Sequence, residues 1–169
     1  LNSASCWCDD YVFYSNTLKS QTVVENNFPQ TTWGCTNISM AFETDKGDVL
    51  HFKNQMAYIK FSVNEPNIYS IHLSADKASY GSDRTLSNTG NIGGTLHYRP
   101  VTGKFDIFSD DPITLSNNGQ PFSVGKTYYV AIPPVTMEGF SMECKDANGN
   151  NVVGKTKQSQ FTAESNHIY

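Results

Sequence analysis

The sequence has few basic residues, no long apolar run and no window with the periodicity of an amphipathic helix. It has 12 Lys and Arg and 16 Asp and Glu, which give a net charge of -4. Nucleic acids, in contrast, require a basic binding surface. We therefore expect no nucleic-acid partner. No apolar run approaches the roughly 20 residues of a transmembrane helix. Hydrophobic residues at 38% and aromatic residues at 12% nevertheless exclude a disordered chain.

The sequence also lacks the spacing patterns of common catalytic and metal sites. It contains no G-x-S-x-G, H-E-x-x-H or Gly-rich phosphate motif. His72 and His97 could meet across a sheet as a metal pair, although solvated histidines are the more frequent explanation. Asp106, Asp110 and Asp111 could supply the carboxylate pair of a glycoside hydrolase, but adjacent aspartates before proline more often form a solvated turn. We predict no enzymatic activity, no cofactor and no metal.

Four cysteines leave the redox compartment undecided. None forms a Cys-x-x-Cys pair, so zinc is not indicated. Cys6 or Cys8 could pair with Cys35, and the sequence does not decide between them. Cys144 lies on the apolar face of a predicted strand, which favours a buried free thiol.

The clearest strand pattern runs from Lys126 to Lys145. Residues 127–132 are β-branched and aromatic with apolar groups on both faces, which predicts a strand covered on both sides. Two prolines follow and end it. Residues 140–145 alternate apolar and polar, as in a half-buried strand, and the Asn-Gly of residues 146–149 predicts a hairpin turn. The polar residues 152–157 are then predicted to form an edge strand.

Earlier segments show the same period of two. Residues 55–63 and 68–74 both alternate, and the turn residues between them predict an antiparallel hairpin. Residues 94–99 and 104–108 predict a second strand pair, and residues 113–115 a short strand. Seven to nine short strands without a helix predict an all-β sandwich. Its predicted core comprises Ile59, Phe61, Ile71, Leu73, Val130, Ile132, Phe140 and Met142.

The pattern is weaker before residue 49, and this divides the chain into two parts. Residues 1–48 are interpreted as the remnant of an N-terminal β domain or as an irregular extension. Residues 49–169 are predicted to form the C-terminal β-sandwich domain. Leu1 opens without the basic region of a signal peptide, so we expect the chain to be part of a longer precursor.

The order of several segments resembles the fimbrillin family of Bacteroidales, surface lipoproteins that include the pilins of type V pili. The segments are Phe52–Asn54 leading into Ile59–Phe61, then Gly125–Pro134, Gly139–Ser141 and the turn at Asp146–Gly149. Each motif is weak alone, and their order and spacing carry the resemblance. It covers roughly residues 22–169 and mainly the C-terminal domain.

The resemblance implies a transthyretin-like antiparallel β-sandwich of about seven strands in a non-enzymatic fimbrial subunit or surface adhesion protein. Such a protein is exported, is outer-membrane anchored or fimbrial, and touches the membrane only through a lipid anchor that this chain does not contain. It assembles with other fimbrial subunits by strand exchange and could bind a ligand on a host or microbial surface. We place the strand-pairing edge, as a hypothesis, at Phe161, Ile168 and Tyr169, where apolar residues would continue an open face.

A glycan-binding β-sandwich module of a surface polysaccharide-capture system is the alternative. In that case exposed aromatic residues would stack on sugars. Trp7 and Trp33 are candidates, although both lie in the weakly patterned N-terminal part. A row of exposed rings would favour this alternative, whereas an apolar groove between sheet edges would favour the fimbrial one.

Overall fold

The computed structural model describes the backbone of residues 12–17, 20–23, 29–31, 39–40, 53–79, 91–99, 104–107 and 111–169. These residues are all β and contain no helix, which confirms the predicted class. None of them forms a helix that could cross a membrane. The strands are β1 Val12–Thr17, β2 Ser20–Val23, β3 Pro29–Thr31, β4 Ser39–Met40, β5 Lys53–Asn54, β6 Ala57–Ser62, β7 Ser70–Ser74, β8 Lys77–Ser79, β9 Thr95–Arg99, β10 Lys104–Ile107, β11 Ile113–Ser116, β12 Thr127–Ile132, β13 Val135–Glu138, β14 Phe140–Lys145, β15 Asn151–Lys157 and β16 Phe161–Ala163.

A six-stranded sheet with the order β15-β14-β7-β11-β2-β3 forms one layer. Its neighbours are antiparallel except for β11 and β2, which are parallel. Ile71 and Leu73 of β7 are fully buried, as are Ile113 and Leu115 of β11. The polar residues between them point to the other face, because successive side chains of a strand alternate. The sheet therefore has one apolar face, on which the core is built.

The second layer is the antiparallel pair of β6 and β12, in register from Ser62 opposite Thr127 to Ala57 opposite Ile132. Ile59, Val130 and Ile132 belong to the same buried cluster as the apolar face of the six-stranded sheet. The arrangement is sandwich-like, with the core between the two layers. A further three-stranded sheet, β16-β13-β8, adjoins it.

The hairpin predicted from residues 55–63 and 68–74 is wrong. β6 pairs with β12, whereas β7 pairs with β11 and β14. The connection passes through Asn67, which has a positive φ of 60°, and carries the chain from one layer to the other. Alternation specifies which side chains of a strand face the core. It does not specify whether two such strands are neighbours in one sheet or lie in two facing sheets, because their apolar side chains are buried equally well in both arrangements.

Other strand predictions are confirmed. β9 and β10 are antiparallel neighbours, and β14 and β15 form a hairpin around residues 146–150. β15 is an edge strand whose residues are all exposed. β12 ends at Ile132, immediately before the two prolines.

Strands from the first 48 residues pair with strands from the rest of the chain. β2 and β3 pair within the six-stranded sheet, and β1 pairs with β9. The division of the chain at residue 48 stays a prediction. Predictions for residues 24–28, 32–38 and 41–52 lie outside the described residues.

Five of the eight predicted core residues are buried, namely Ile59, Ile71, Leu73, Val130 and Ile132. The other three, Phe61, Phe140 and Met142, are only half-buried and pack against the cluster from its margin. Phe61 and Met142 line a groove at this margin, and that position explains their partial exposure.

Gly139 makes the tight passage from β13 to β14 possible. Its φ of 65° lies in the left-handed region, where L side chains are strained. A Cβ at this position would also collide with the carboxyl group of Asp76. Asp76 is held there because its N–H donates to the carbonyl oxygen of Glu138 at 2.9 Å.

Candidate functional site

The last residues of the chain pair with the free edge of β6. The N–H of Tyr58 donates to the carbonyl oxygen of His167 at 2.9 Å, and the N–H of Tyr169 donates to the carbonyl oxygen of Tyr58 at 2.9 Å. The N–H of Lys60 donates to the carbonyl oxygen of Tyr169 at 2.7 Å. This is a parallel ladder, with Ile168 opposite Tyr58. Residues 167–169, the terminal segment, thus extend the second layer.

The three residues predicted as a strand-pairing edge lie at this corner of the molecule. Phe161 is in β16, opposite Met137 of β13. Its ring meets the ring of Tyr169 edge to face, with centroids 4.8 Å apart, and the Tyr169 hydroxyl accepts from the N–H of Glu164 at 2.9 Å. Ile168 is 57% exposed. The structure brings Phe161 and Tyr169 together, and their role towards a partner stays a prediction.

The edge of β6 continues beyond the terminal segment. Tyr58 and Lys60 direct backbone groups to this edge, and successive residues of a strand alternate in that direction. Ser62 therefore points to the same edge. Val63 points the opposite way, because its carbonyl oxygen accepts from Gly125 N–H at 2.8 Å. Within the described ranges, nothing pairs with the carbonyl oxygen of Lys60 or the N–H of Ser62.

An apolar groove lies beside this open stretch of β6, between it and the hairpin of β14 and β15. Its volume is about 520 Å³, within the roughly 300–1,000 Å³ typical of binding clefts. We call it the β6–β15 groove. It is lined by Phe61, Ser62, Val63, Asn64, Glu65 and Ile68 from one side and by Met142, Cys144, Val153, Gly154 and Lys155 from the other.

On the opposite edge of the second layer, Ala131 of β12 pairs with a side chain. Gln21 of β2 is 1% exposed and reaches across the core to β12. Its Nε2 donates to the carbonyl oxygen of Ala131 at 2.7 Å, and its Oε1 accepts from the N–H of Ala131 at 2.9 Å. The amide thus takes both backbone groups of one residue, as a neighbouring strand would. A buried backbone group needs such a partner.

Cys144 lies in the β6–β15 groove as a half-buried thiol. Burial raises the pKa of the Cys144 thiol, because it disfavours the charged thiolate. At neutral pH the thiol is therefore protonated and weakly reactive. The thiol is free, as predicted, but the prediction that it is buried is wrong, since Cys144 is half-buried at the groove.

The outer face of the six-stranded sheet carries a cluster of hydroxyl groups around His72. Its Nε2 lies 3.1 Å from the Ser70 hydroxyl and its Nδ1 lies 3.2 Å from the Thr114 hydroxyl. Burial, followed by the positive charge of Lys145, lowers the pKa of His72, and the charge of Glu143 partly offsets both. The imidazole is thus neutral at neutral pH, with one nitrogen donating and the other accepting.

His72 and His97, suggested as a metal pair across one sheet, are not neighbours within one sheet. His72 is in β7 of the six-stranded sheet, whereas His97 is in β9 of another sheet. The described residues contain no cluster of three or more His, Cys, Asp or Glu. Asp111 lies in a backbone bridge with Gly93. The prediction of two carboxylates across a cleft also involves the Asp106 side chain and Asp110, and both of these lie outside the description.

Asp146 organises the hairpin turn between β14 and β15. Its Oδ1 accepts from the N–H of Asn148 at 2.8 Å and from the N–H of Asn150 at 2.9 Å. Its Oδ2 accepts from the side-chain amide of Asn150 at 3.0 Å. The side-chain bond from Asn150, then its backbone bond, lowers the pKa of Asp146. The carboxylate thus accepts hydrogen bonds from residues of its own turn, in agreement with the interpretation of this segment as a hairpin.

Sequence reasoning located the terminal residues but missed the β6–β15 groove. Alternation predicts a closed core around Phe61 and Met142, because a half-buried apolar residue has the same periodicity as a buried one. The sequence holds no local signal that separates the two cases. Comparison of the chain with protein-family models, with curated proteins and with solved structures found no match.

Proposed function

We propose that this chain is a non-enzymatic fimbrial subunit or surface adhesion protein that joins its neighbours through β-strand pairing. In this proposal the two layers form a transthyretin-like sandwich, and the partners are other subunits of the same surface assembly. The resemblance to fimbrillins supplies the biological setting. The observation that carries the proposal is the unpaired stretch of β6 beside an apolar groove, within the part of the chain that the structure describes.

The physical reason is that an unpaired sheet edge beside partly exposed apolar side chains favours the binding of a further strand. An open edge offers backbone donors and acceptors to another chain. When a groove for side chains lies alongside, the added strand gains hydrogen bonds and apolar burial together. Phe61, Met142 and Cys144 supply that apolar surface. This combination suits subunit assembly better than catalysis.

Glycan binding has less support from the described side chains. Among them, the exposed large hydrophobic residues are Val124, Val152, Val153, Ile168 and Tyr169, and only Tyr169 is aromatic. It already packs edge to face on Phe161. A stacking platform needs flat rings open to the sugar. Trp7 and Trp33 lie outside the described residues.

The proposal is tested by locating the protein on the cells that produce it. Antibodies raised against the purified chain are applied to intact cells and detected by immunogold electron microscopy. We expect label on the outer surface or along fibres, and loss of label after mild protease treatment of intact cells. Label found only after the cells are broken would refute a surface subunit. Cells that lack the gene serve as the control for antibody specificity.

A further inference from the structure

We propose that Asn148, in the turn between β14 and β15, is a site of spontaneous deamidation, and that its conversion to isoaspartate loosens this hairpin. The chain contains two Asn-Gly pairs, at residues 118–119 and 148–149, and both are exposed. Glycine has no Cβ, so its backbone nitrogen can approach the side chain of the preceding asparagine. The sequence thus makes both sites reactive, and the conformation of the two turns selects Asn148.

The reaction needs water and no other reactant. The backbone nitrogen of Gly149 attacks Cγ of Asn148, so that the N–Cγ bond forms while the Cγ–Nδ2 bond breaks and ammonia leaves. The Gly149 N–H proton passes to solvent, and the leaving Nδ2 takes a proton from solvent. Water then opens the succinimide ring at either carbonyl group. Opening at Cγ gives aspartate, whereas opening at the backbone carbonyl carbon gives isoaspartate, whose main chain runs through Cβ and Cγ.

The conformation of Asn118 opposes this attack. Its φ of 51° lies in the left-handed region, where ψ is about +30 to +60°. At such a ψ the nitrogen of Gly119 lies on the far side of the Cα–C bond from Cβ, whereas the attack needs both on the same side. The Asn118 side chain is also held, because its Nδ2 donates to the carbonyl oxygen of Val23 at 3.2 Å. Asn118 must therefore lose this bond and rotate almost fully about Cα–C before it can react.

Asn148 starts from a more favourable conformation. The N–H of Gly149 donates to the carbonyl oxygen of Asp146 at 3.1 Å, and the φ of Asn148 is not positive. Together these define a type I turn, in which ψ at Asn148 is about 0°, so the rotation needed is smaller than at Asn118. Its side-chain amide makes no hydrogen bond with the described residues. Only the long turn bond of Gly149 has to open before the attack.

Isoaspartate at position 148 disrupts the turn that holds β15. The Asp146 carboxylate accepts from the N–H groups of Asn148 and Asn150, at 2.8 and 2.9 Å. The product adds a second carboxylate to the same turn, and like charges repel. Its additional main-chain atom also moves the Gly149 N–H away from the Asp146 carbonyl oxygen. β15 is an edge strand with exposed residues throughout, and β14 is its neighbour in the described sheet. The hairpin therefore opens more often after the reaction.

The test is to age the full chain at mildly alkaline pH, both folded and in concentrated urea, and to follow the two sites by mass spectrometry. Trypsin cleaves after lysine and releases residues 105–126 and 146–155 as separate peptides, each with one Asn-Gly pair. In the folded protein we expect Asn148 to react at least about fivefold faster than Asn118, which is the effect of about one net hydrogen bond on a rate. In urea we expect similar rates, because glycine follows both asparagines.

Two results of this ageing experiment would overturn the proposal. The first is equal reaction at the two sites of the folded protein, or faster reaction at Asn118. The second is a preference for Asn148 that persists unchanged in urea, because neighbouring residues in the sequence and not the fold would then select the site.

Hydrogen exchange of the β15 amides that pair with β14 tests the effect on the hairpin. Aged protein with isoaspartate at position 148 is compared with fresh protein and with aged Asn148→Gln, whose longer side chain does not form the five-membered ring. We expect exchange about fivefold faster in the isoaspartate form alone, from loss of the Gly149 bond. Asn148→Asp adds the charge without the additional main-chain atom and should give an intermediate rate. Unchanged exchange in the isoaspartate form, or equal acceleration in aged Asn148→Gln, would refute the loosening.

Discussion

Replacing Gln21 by Met tests how the backbone of Ala131 is paired on the outer edge of β12. Gln21 and Met have similar length and shape, so the change removes the amide while it nearly preserves packing. The N–H and the carbonyl oxygen of Ala131 then lose their partners at 2.9 and 2.7 Å inside the core. Each unsatisfied buried group costs roughly 1–3 kcal/mol, and the more hydrophobic Met side chain returns about 1.5–3 kcal/mol. We expect a net loss of about 2 kcal/mol.

Urea unfolding monitored by far-ultraviolet circular dichroism measures this loss. With a slope of about 2 kcal/mol per M, Gln21→Met should lower the midpoint by about 1 M. Thr22→Val is the matched control on the same strand, since Thr22 is half-buried and its hydroxyl makes only a 3.5 Å contact with Ser116. Hydrogen exchange of the Ala131 amide should accelerate in Gln21→Met alone. Equal midpoints for the two variants would refute the assignment of the buried amide as the partner of this edge.

A Glu at this position adds a pH signature to the same test. Neutral Glu can still donate to the carbonyl oxygen of Ala131 and accept from its N–H, whereas ionised Glu cannot donate and is penalised by burial. The folded-state pKa of this Glu is therefore raised above the unfolded value of about 4.3. Its contribution to stability is present below that value and is lost as the pH rises through the folded-state pKa. Gln21→Glu should thus approach the original protein only in acid.

Three further predictions concern other parts of the fold. Gly139→Ala should lower the melting temperature more than Gly149→Ala, because both residues have positive φ but only at Gly139 would the new Cβ collide with a neighbour. The lowered pKa of His72 means that the unfolded chain binds its proton first, so stability should fall as the pH drops below about 6.5. Replacing His72 by Gln should flatten that part of the stability profile. The lowered pKa of Asp146, caused first by the side-chain bond from Asn150, should appear in NMR titration of the Asn150 amide as a midpoint below the usual range for Asp, and Asn150→Ala should raise it.

The all-β class and most strand positions could be predicted because they depend on local alternation. Thr127–Ile132 and Phe140–Lys145 were located with their correct limits, since Pro133 and the Asn-Gly turn end them for local chemical reasons. The pairing of β6 could not be predicted in the same way. Its inner side chains fit equally against a neighbour in the same sheet or against a facing sheet. Turn residues at 66 and 67 permit either connection.

The candidate site was only partly accessible to sequence reasoning for a related reason. Ile168 and Tyr169 were singled out because apolar residues continued a strand pattern, and they do lie on a sheet edge. The groove depends on how residues 61–68 and residues 142–155, which are far apart in the sequence, lie beside each other in the fold. Gln21 is a similar case, because its partner is Ala131, 110 positions along the chain. A polar residue in a short strand gives no local sign that it closes an edge in the opposite layer.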